Sequence, residues 1–251
     1  MWGNSMKTEL YTEYSSCLNR NMTYKVYGHR GKICFVFGPQ NGKYYDYENF
    51  GMINVLRPDI ESGKLRLVCV DSIDEETFSN QNGNPGHRMY MQEQWYHCIV
   101  DEVIPTVQNR YRNWDKMMTT GCSMGAFHAM NFFLRNPDKF DTVIALSGVY
   151  EARYFMGGYM DKNTYDNSPI DYLAGMEYNH PYADMYRRSD IIVCVGQGAW
   201  EEEMVRNTRS LERLMREKDI PCWFDYWGYD VNHDWPWWKK QIRYFMDKTG
   251  Y

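Results

Sequence analysis

The sequence predicts an α/β fold, with a mostly parallel central sheet of about eight strands flanked by helices and an irregular insertion after the sixth strand. Two observations carry this. Short apolar runs bounded by turn residues, such as Ile33–Phe37 and Leu67–Asp71, read as strands buried on both faces. Segments with helical apolar spacing separate such runs, and that alternation implies a sheet covered on each side.

The elements follow in order. Thr8–Ser15 and Met22–Tyr27 read as an opening antiparallel pair. Ile33–Phe37, Leu67–Asp71, Lys116–Gly121, Thr142–Leu146, Ile191–Val195 and Cys222–Tyr226 supply the remaining strands. Ile99, Val100, Val103, Ile104 and Val107 share one helical face from Trp95 to Tyr111, with a kink expected at Pro105. Ala126–Leu134 reads as a helix that stops before Pro137. Met204, Leu211, Leu214 and Met215 mark another, and Trp237–Lys248 the last. Tyr150–Arg188 is rich in Gly, Asn, Asp and Tyr and lacks periodicity. It is expected as an insertion above the C-terminal strand ends, where such sheets bind ligands. With no repeat and no linker, residues 1–251 read as a single domain.

Composition narrows the function. A chain of 251 residues with net charge −5 lacks the basic footprint of a nucleic-acid binder. No apolar run approaches the roughly 18 residues that span a bilayer. Met1–Leu10 shows no basic segment followed by an apolar one, so no secretory leader is expected, and Met6 is a second candidate start. Cys17, Cys34, Cys69, Cys98, Cys122, Cys194 and Cys222 are odd in number and lack metal-ligand spacing. They read as reduced thiols in a cytoplasmic protein. The six histidines form no His-x-x-x-His pair, so no metal site is expected. Aromatic residues reach 17% of the chain, most of them read as packing.

The chemistry centres on Gly121-Cys122-Ser123-Met124-Gly125, which joins the Lys116–Gly121 strand to the helix beyond. Strand, sharp turn and helix are the setting of a nucleophile elbow, whose strain exposes the serine hydroxyl. A serine nucleophile needs a base, and the base needs an acid to hold its tautomer. The chain order serine, acid, histidine belongs to α/β-hydrolases. Among the later histidines, His180 lies in the irregular insertion, whereas His233 follows the last strand and is chosen as the base. For the acid, Gly196–Glu203 offers three glutamates and no aspartate. Glu201 is preferred, because Glu202 and Glu203 suit the first turn of the next helix. Glu202 stays an alternative, as does Glu151, while Asp230 and Asp234 share the histidine's own loop. One oxyanion N–H comes from Met124, the other from the loop Gly38–Gly42. Pro39 has no N–H, leaving Gln40 first and Asn41 second.

With these residues placed, the chain resembles the putative-esterase (esterase D-like, feruloyl esterase-like) branch of the α/β-hydrolase superfamily. Asp101–Pro105, Gly121–Gly125, Asn136–Asp141 with Ala145–Gly148, and His233-Asp234-Trp235 carry the likeness, from about residue 20 to 248. Two positions depart from the branch. Gly38-Pro39-Gln40-Asn41 replaces its His-Gly, and Gly198-Ala199-Trp200-Glu201 replaces its Gly-x-x-Asp, so the acid here is a glutamate.

The resemblance implies an α/β-hydrolase fold and cofactor-free hydrolysis of carboxylic esters. Branch members act on feruloyl, acetyl, thioester and trehalose-mycolyl substrates. The expectation is a serine carboxylesterase for small acyl or hydroxycinnamoyl esters, carbohydrate-linked ones included. An acyltransferase or a thioesterase would use the same residues, and a non-catalytic binding protein is the rival of another class. Tyr150, Trp200 and Trp235 are expected at the pocket mouth. The partner is a small-molecule ester, with no nucleic acid or membrane; a homo-oligomer is left open. With a neutral histidine as base, activity is expected to rise with pH through about 6 to 7.

Overall fold

Eight strands and ten α-helices make up the described part of a computed structural model, residues 6–251. The expectation about a leader at Met1–Ser5 lies outside those residues. The strands are β1 (Thr8–Ser15), β2 (Arg20–Tyr27), β3 (Lys32–Phe37), β4 (Leu65–Val70), β5 (Met117–Cys122), β6 (Phe140–Leu146), β7 (Asp190–Val195) and β8 (Trp223–Tyr226). They form one sheet in the order β1-β2-β4-β3-β5-β6-β7-β8. β1 and β2, and β2 and β4, pair antiparallel, and every other pair is parallel. Both the parallel core and the opening antiparallel pair were legible from patterning.

The helices are α1 (Asp46–Asn49), α2 (Met52–Glu61), α3 (Pro85–His97), α4 (Ile104–Tyr111), α5 (Met124–Arg135), α6 (Lys162–Asp166), α7 (Pro169–Gly175), α8 (Pro181–Tyr186), α9 (Glu202–Glu217) and α10 (Trp235–Thr249). Two apolar layers sandwich the sheet. One gathers Phe35, Phe37, Trp95, Phe132 and Phe133, the other Val36, Leu56, Ile144, Trp238 and Phe245. Residues alternate between them along β3, as the period-two geometry of a strand requires.

Three local features differ from expectation. The helix read from Trp95 begins at Pro85, where the Asn84 side chain accepts the His87 N–H and proline takes the first turn. No sharp kink is needed at Pro105. A π-helical stretch, Cys98–Val103, precedes it, and Pro105 then falls in the first turn of α4, where its missing N–H does no harm. The segment read as irregular, 150–188, contains α6, α7 and α8. Each is under eight residues, too short to declare a helical period.

Candidate active site

The C-terminal ends of β3, β5, β6, β7 and β8 all open at one edge of the sheet. Ser123 follows β5 at φ 57° and ψ −125°. The flanking glycines explain how a serine is held there. A Cβ at Gly121 would sit 2.2 Å from the Gly125 carbonyl oxygen, and one at Gly125 would sit 2.1 Å from that of Phe37. The Ser123 N–H donates to the Leu146 carbonyl at 2.9 Å, prolonging the β5–β6 ladder into the turn. Strain on the serine backbone is thereby over-determined by its surroundings.

Three elements converge on that hydroxyl. Ser123 Oγ lies 2.8 Å from His233 Nε2, across 110 residues of sequence. On the other side of the imidazole, Nδ1 lies 3.2 Å from Glu201 Oε2. A carboxylate can only accept, so Nδ1 carries the proton and Nε2 is left to accept from serine. Glu201 is fully buried, and its Oε1 accepts the Ser147 hydroxyl at 2.6 Å. The Ser147 oxygen in turn accepts the Trp238 indole N–H at 3.1 Å. Trp238 also presents its ring to His233, with centroids 4.9 Å apart and planes at 89°. Sequence reasoning missed Ser147 and Trp238. Ser147 directly follows β6, within the Ala145–Gly148 motif, at a positive φ of 56°, but nothing in the sequence ties it to the acid.

The loops bearing Glu201 and His233 are stitched together. Gly198 N–H donates to the Val231 carbonyl at 2.8 Å, Ala199 N–H to Asn232 Oδ1 at 2.8 Å, and His233 N–H to the Ala199 carbonyl at 3.0 Å. The geometry separates the candidates for the acid. Glu202 is exposed at the start of α9, and Glu203 pairs with Arg206 and Asn207. Glu151 lies 3.4 Å from Arg153. Asp234 caps α10 by accepting the Trp235 N–H, and His180 Nδ1 accepts the Tyr182 N–H at the start of α8.

On the loop after β3, the Asn41 N–H donates to Asp74 Oδ2 at 3.0 Å. The N–H groups of Gln40 and Met124 have no acceptor among the described residues. Gln40 itself is anchored through its side chain to Ser79 Oγ at 2.9 Å. Cys122, the neighbour of Ser123, is no rival nucleophile. It is fully buried beside the Tyr47 hydroxyl, and burial pushes its thiol up to about 12.

The three expected pocket residues part company. Tyr150 is fully buried in the main apolar cluster, against Gly148, and does not reach a pocket mouth. Its position directly after the β6 turn carries the ring under the surface rather than over it. Trp200 is 81% exposed, held at φ 67° immediately before Glu201. Trp235 stacks on the half-exposed Phe50, with ring centroids 4.7 Å apart and planes 5° from parallel.

The family model described as "Putative esterase" matches residues 15–245. The chain belongs to that esterase family. No curated protein matches the esterase in sequence. Solved structures share its fold over nearly full length. A ferulic acid esterase superposes with a TM-score of 0.75 at 18% identity, covering 96% of this chain and 95% of the other. An S-formylglutathione hydrolase from Agrobacterium tumefaciens gives 0.74 at 14% identity, with 96% and 94% covered. A fluorophosphonate-binding serine hydrolase from Staphylococcus aureus gives 0.69 at 15%, with 97% and 98% covered. At such identities the likeness is one of fold, the α/β-hydrolase fold, while the family match makes the protein a carboxylic ester hydrolase.

Proposed function

We propose that the esterase is a serine carboxylesterase that works through an acyl-enzyme, with Ser123 as nucleophile, His233 as base and Glu201 as acid. One observation carries it: the unbroken relay from Ser123 Oγ through both nitrogens of His233 to a fully buried Glu201. Ser123 gives its proton to Nε2 as Oγ bonds to the ester carbonyl carbon. Glu201 holds the imidazole and stabilises the charge it gains. The oxygen of the tetrahedral intermediate turns to the N–H groups of Met124 and Gln40. Asn41 is the weaker candidate, because its N–H is already engaged by Asp74. The intermediate collapses, the C–O bond to the alcohol breaks, and His233 returns the proton to the leaving oxygen. Water then repeats the sequence on the acyl-serine and releases the acid.

Exposed Trp200, next to Glu201, and the stack of partly buried Trp235 on Phe50, close after His233 in sequence, support esters with a hydroxycinnamoyl or similarly flat apolar acyl group, small acyl esters included. A sugar-linked alcohol suits the same rings. Seven free cysteines, five of them buried, support a reducing, cytoplasmic setting.

The test is hydrolysis of p-nitrophenyl acetate and butyrate by wild type and Ser123→Ala, with fluorophosphonate labelling of both. Turnover and labelling confined to wild type support the reading. Equal turnover by the two proteins would remove Ser123 from the mechanism.

A further inference from the structure

At the opposite end of the sheet from Ser123, the entry to β4 borders a pocket. Arg66 is the second residue of β4, and the six-residue strands β3, β4 and β5 run parallel from this end towards the elbow. At about 3.3 Å per residue the two ends stand roughly 15–20 Å apart. The pocket is an open cleft of about 450 Å³, and His29, Arg30, Arg66, Arg112, Trp114 and Asp115 are among the residues that line it.

Its charge is the unusual part. In a chain of net charge −5, three guanidinium groups converge here, and none takes part in a salt bridge among the described residues. Residues 1–5 hold no carboxylate that could supply one. Asp115 is the one acidic residue of the lining. Glu9, nearby, is engaged by Lys7 at 3.3 Å and by the Tyr111 hydroxyl at 2.9 Å; its charge also favours the Arg66 cation, though burial outweighs it and no salt bridge joins the two.

Arg66 carries the argument. It is only 6% exposed, and its Nε is buried with no hydrogen-bond partner, although Nη2 donates to the His29 carbonyl. Its guanidinium lies 3.9 Å from the centroid of the Tyr111 ring, which fixes its plane. Burial pulls its pKa down from the ordinary arginine value. A buried cation with an unmet donor is destabilising, and an anion that reached the guanidinium would add to the partial compensation from Glu9. The other two cations are exposed at the rim, where Arg30 lies along Gly63 and its Nη2 donates to the Ser62 carbonyl at 3.4 Å. Arg112 ends α4 in a left-handed conformation at φ 50°, and the next-but-one residue, Trp114, is 64% exposed.

We propose that this pocket binds a small phosphate-bearing ligand, distinct from the ester substrate, with Arg66 as its buried anchor and Arg30 and Arg112 as its rim. Guanidinium groups suit phosphate because two parallel N–H donors match two oxygens. The site has no part in the ester chemistry, so its occupancy is separable from turnover.

The experiment is calorimetric titration of the purified esterase with pyrophosphate at low salt, against sulfate at equal ionic strength. Expected is saturable one-site binding of pyrophosphate, tenfold or more tighter than sulfate, and quenching of the Trp114 fluorescence. Arg112→Gln and Arg30→Gln, both at exposed positions, should each weaken it at least threefold, and the double variant at least tenfold. p-Nitrophenyl butyrate turnover of those variants should match wild type, which shows that they are folded. Absence of saturable binding, equal affinity for sulfate, or unchanged affinity in the double variant would each overturn the proposal.

Discussion

Ser147 donates its hydroxyl to Glu201 Oε1 at 2.6 Å, and so holds the buried carboxylate of the relay from the turn just past β6. The Trp238 indole completes the chain by donating to Ser147. A hydrogen bond to a buried charge contributes roughly 1.5–3 kcal/mol. Ser147→Ala should therefore lower kcat about ten- to a hundredfold with little change in KM, because the acid loses its orientation and not the substrate its pocket. Trp238→Phe keeps the ring against His233 and should do less. Steady-state kinetics on p-nitrophenyl butyrate checks both. Wild-type kcat in Ser147→Ala would show that Glu201 needs no such support.

Asp74 and His128 form a second buried pair, 2.8 Å apart and both about 1% exposed. The other oxygen of Asp74 accepts the Asn41 N–H, so the pair holds the loop that carries Gln40. Asp74→Ala would leave two buried polar groups without partners, at a cost of about 1–3 kcal/mol each. It should lower the melting temperature and reduce kcat by tenfold or more. Asp74→Asn keeps the shape and an acceptor for Asn41, and should recover most of kcat. Equal kcat in all three proteins would free the Gln40 loop from any dependence on Asp74.

Gly125 tolerates no side chain. An added Cβ would press on the carbonyl oxygens of Phe37 and Gly38, at 2.1 and 2.4 Å, and both belong to backbone. Gly125→Ala should abolish soluble expression or lower stability by more than about 3 kcal/mol. Gly157 makes the control. Its φ is 59°, but nothing lies within 4 Å of a Cβ there, so Gly157→Ala should cost only about 1–2 kcal/mol. Chemical denaturation compares the two.

Alkaline pH should destabilise the protein. Burial pushes the thiols of Cys98 and Cys122 up to about 12, and those of Cys69 and Cys194 are raised as well. The folded chain then keeps protons that the unfolded chain gives up above about pH 9. Unfolding is thus favoured as pH rises, from about pH 9 towards 12. Melting temperatures between pH 8 and 11 should fall, and less so in Cys122→Ala relative to its own value at pH 8. At pH 8, iodoacetamide should leave Cys122 unmodified and activity intact, as peptide mass mapping would show.

Much of the site was legible in the chain because its signals are local. The elbow needs two glycines at fixed offsets from Ser123, and backbone sterics write that requirement directly into the sequence. His233 was readable from its place between the last strand and the last helix. Glu201 was separable from Glu202 and Glu203 only by arguing which of them faces the sheet. Ser147 gave no such signal, because its role depends on α10 bringing Trp238 across 91 residues. Tyr150 misled for the same reason. Adjacent in sequence to the strand end, its ring turns into the core beneath Gly148.

By itself the sequence determined the parallel sheet, the strained serine turn and the selection of Ser123, Glu201 and His233, which the structure brings into contact. Those follow from patterning, steric limits on glycine positions and the sequence of elements, all of which act within a few residues. Only the tertiary structure decided what supports Glu201, which loop N–H stays open beside Met124, and where three arginines without salt bridges line one pocket. Each of these depends on side chains from distant segments finding, or failing to find, a partner once water is removed. Desolvation makes such pairing decisive, and desolvation is a property of the packed molecule.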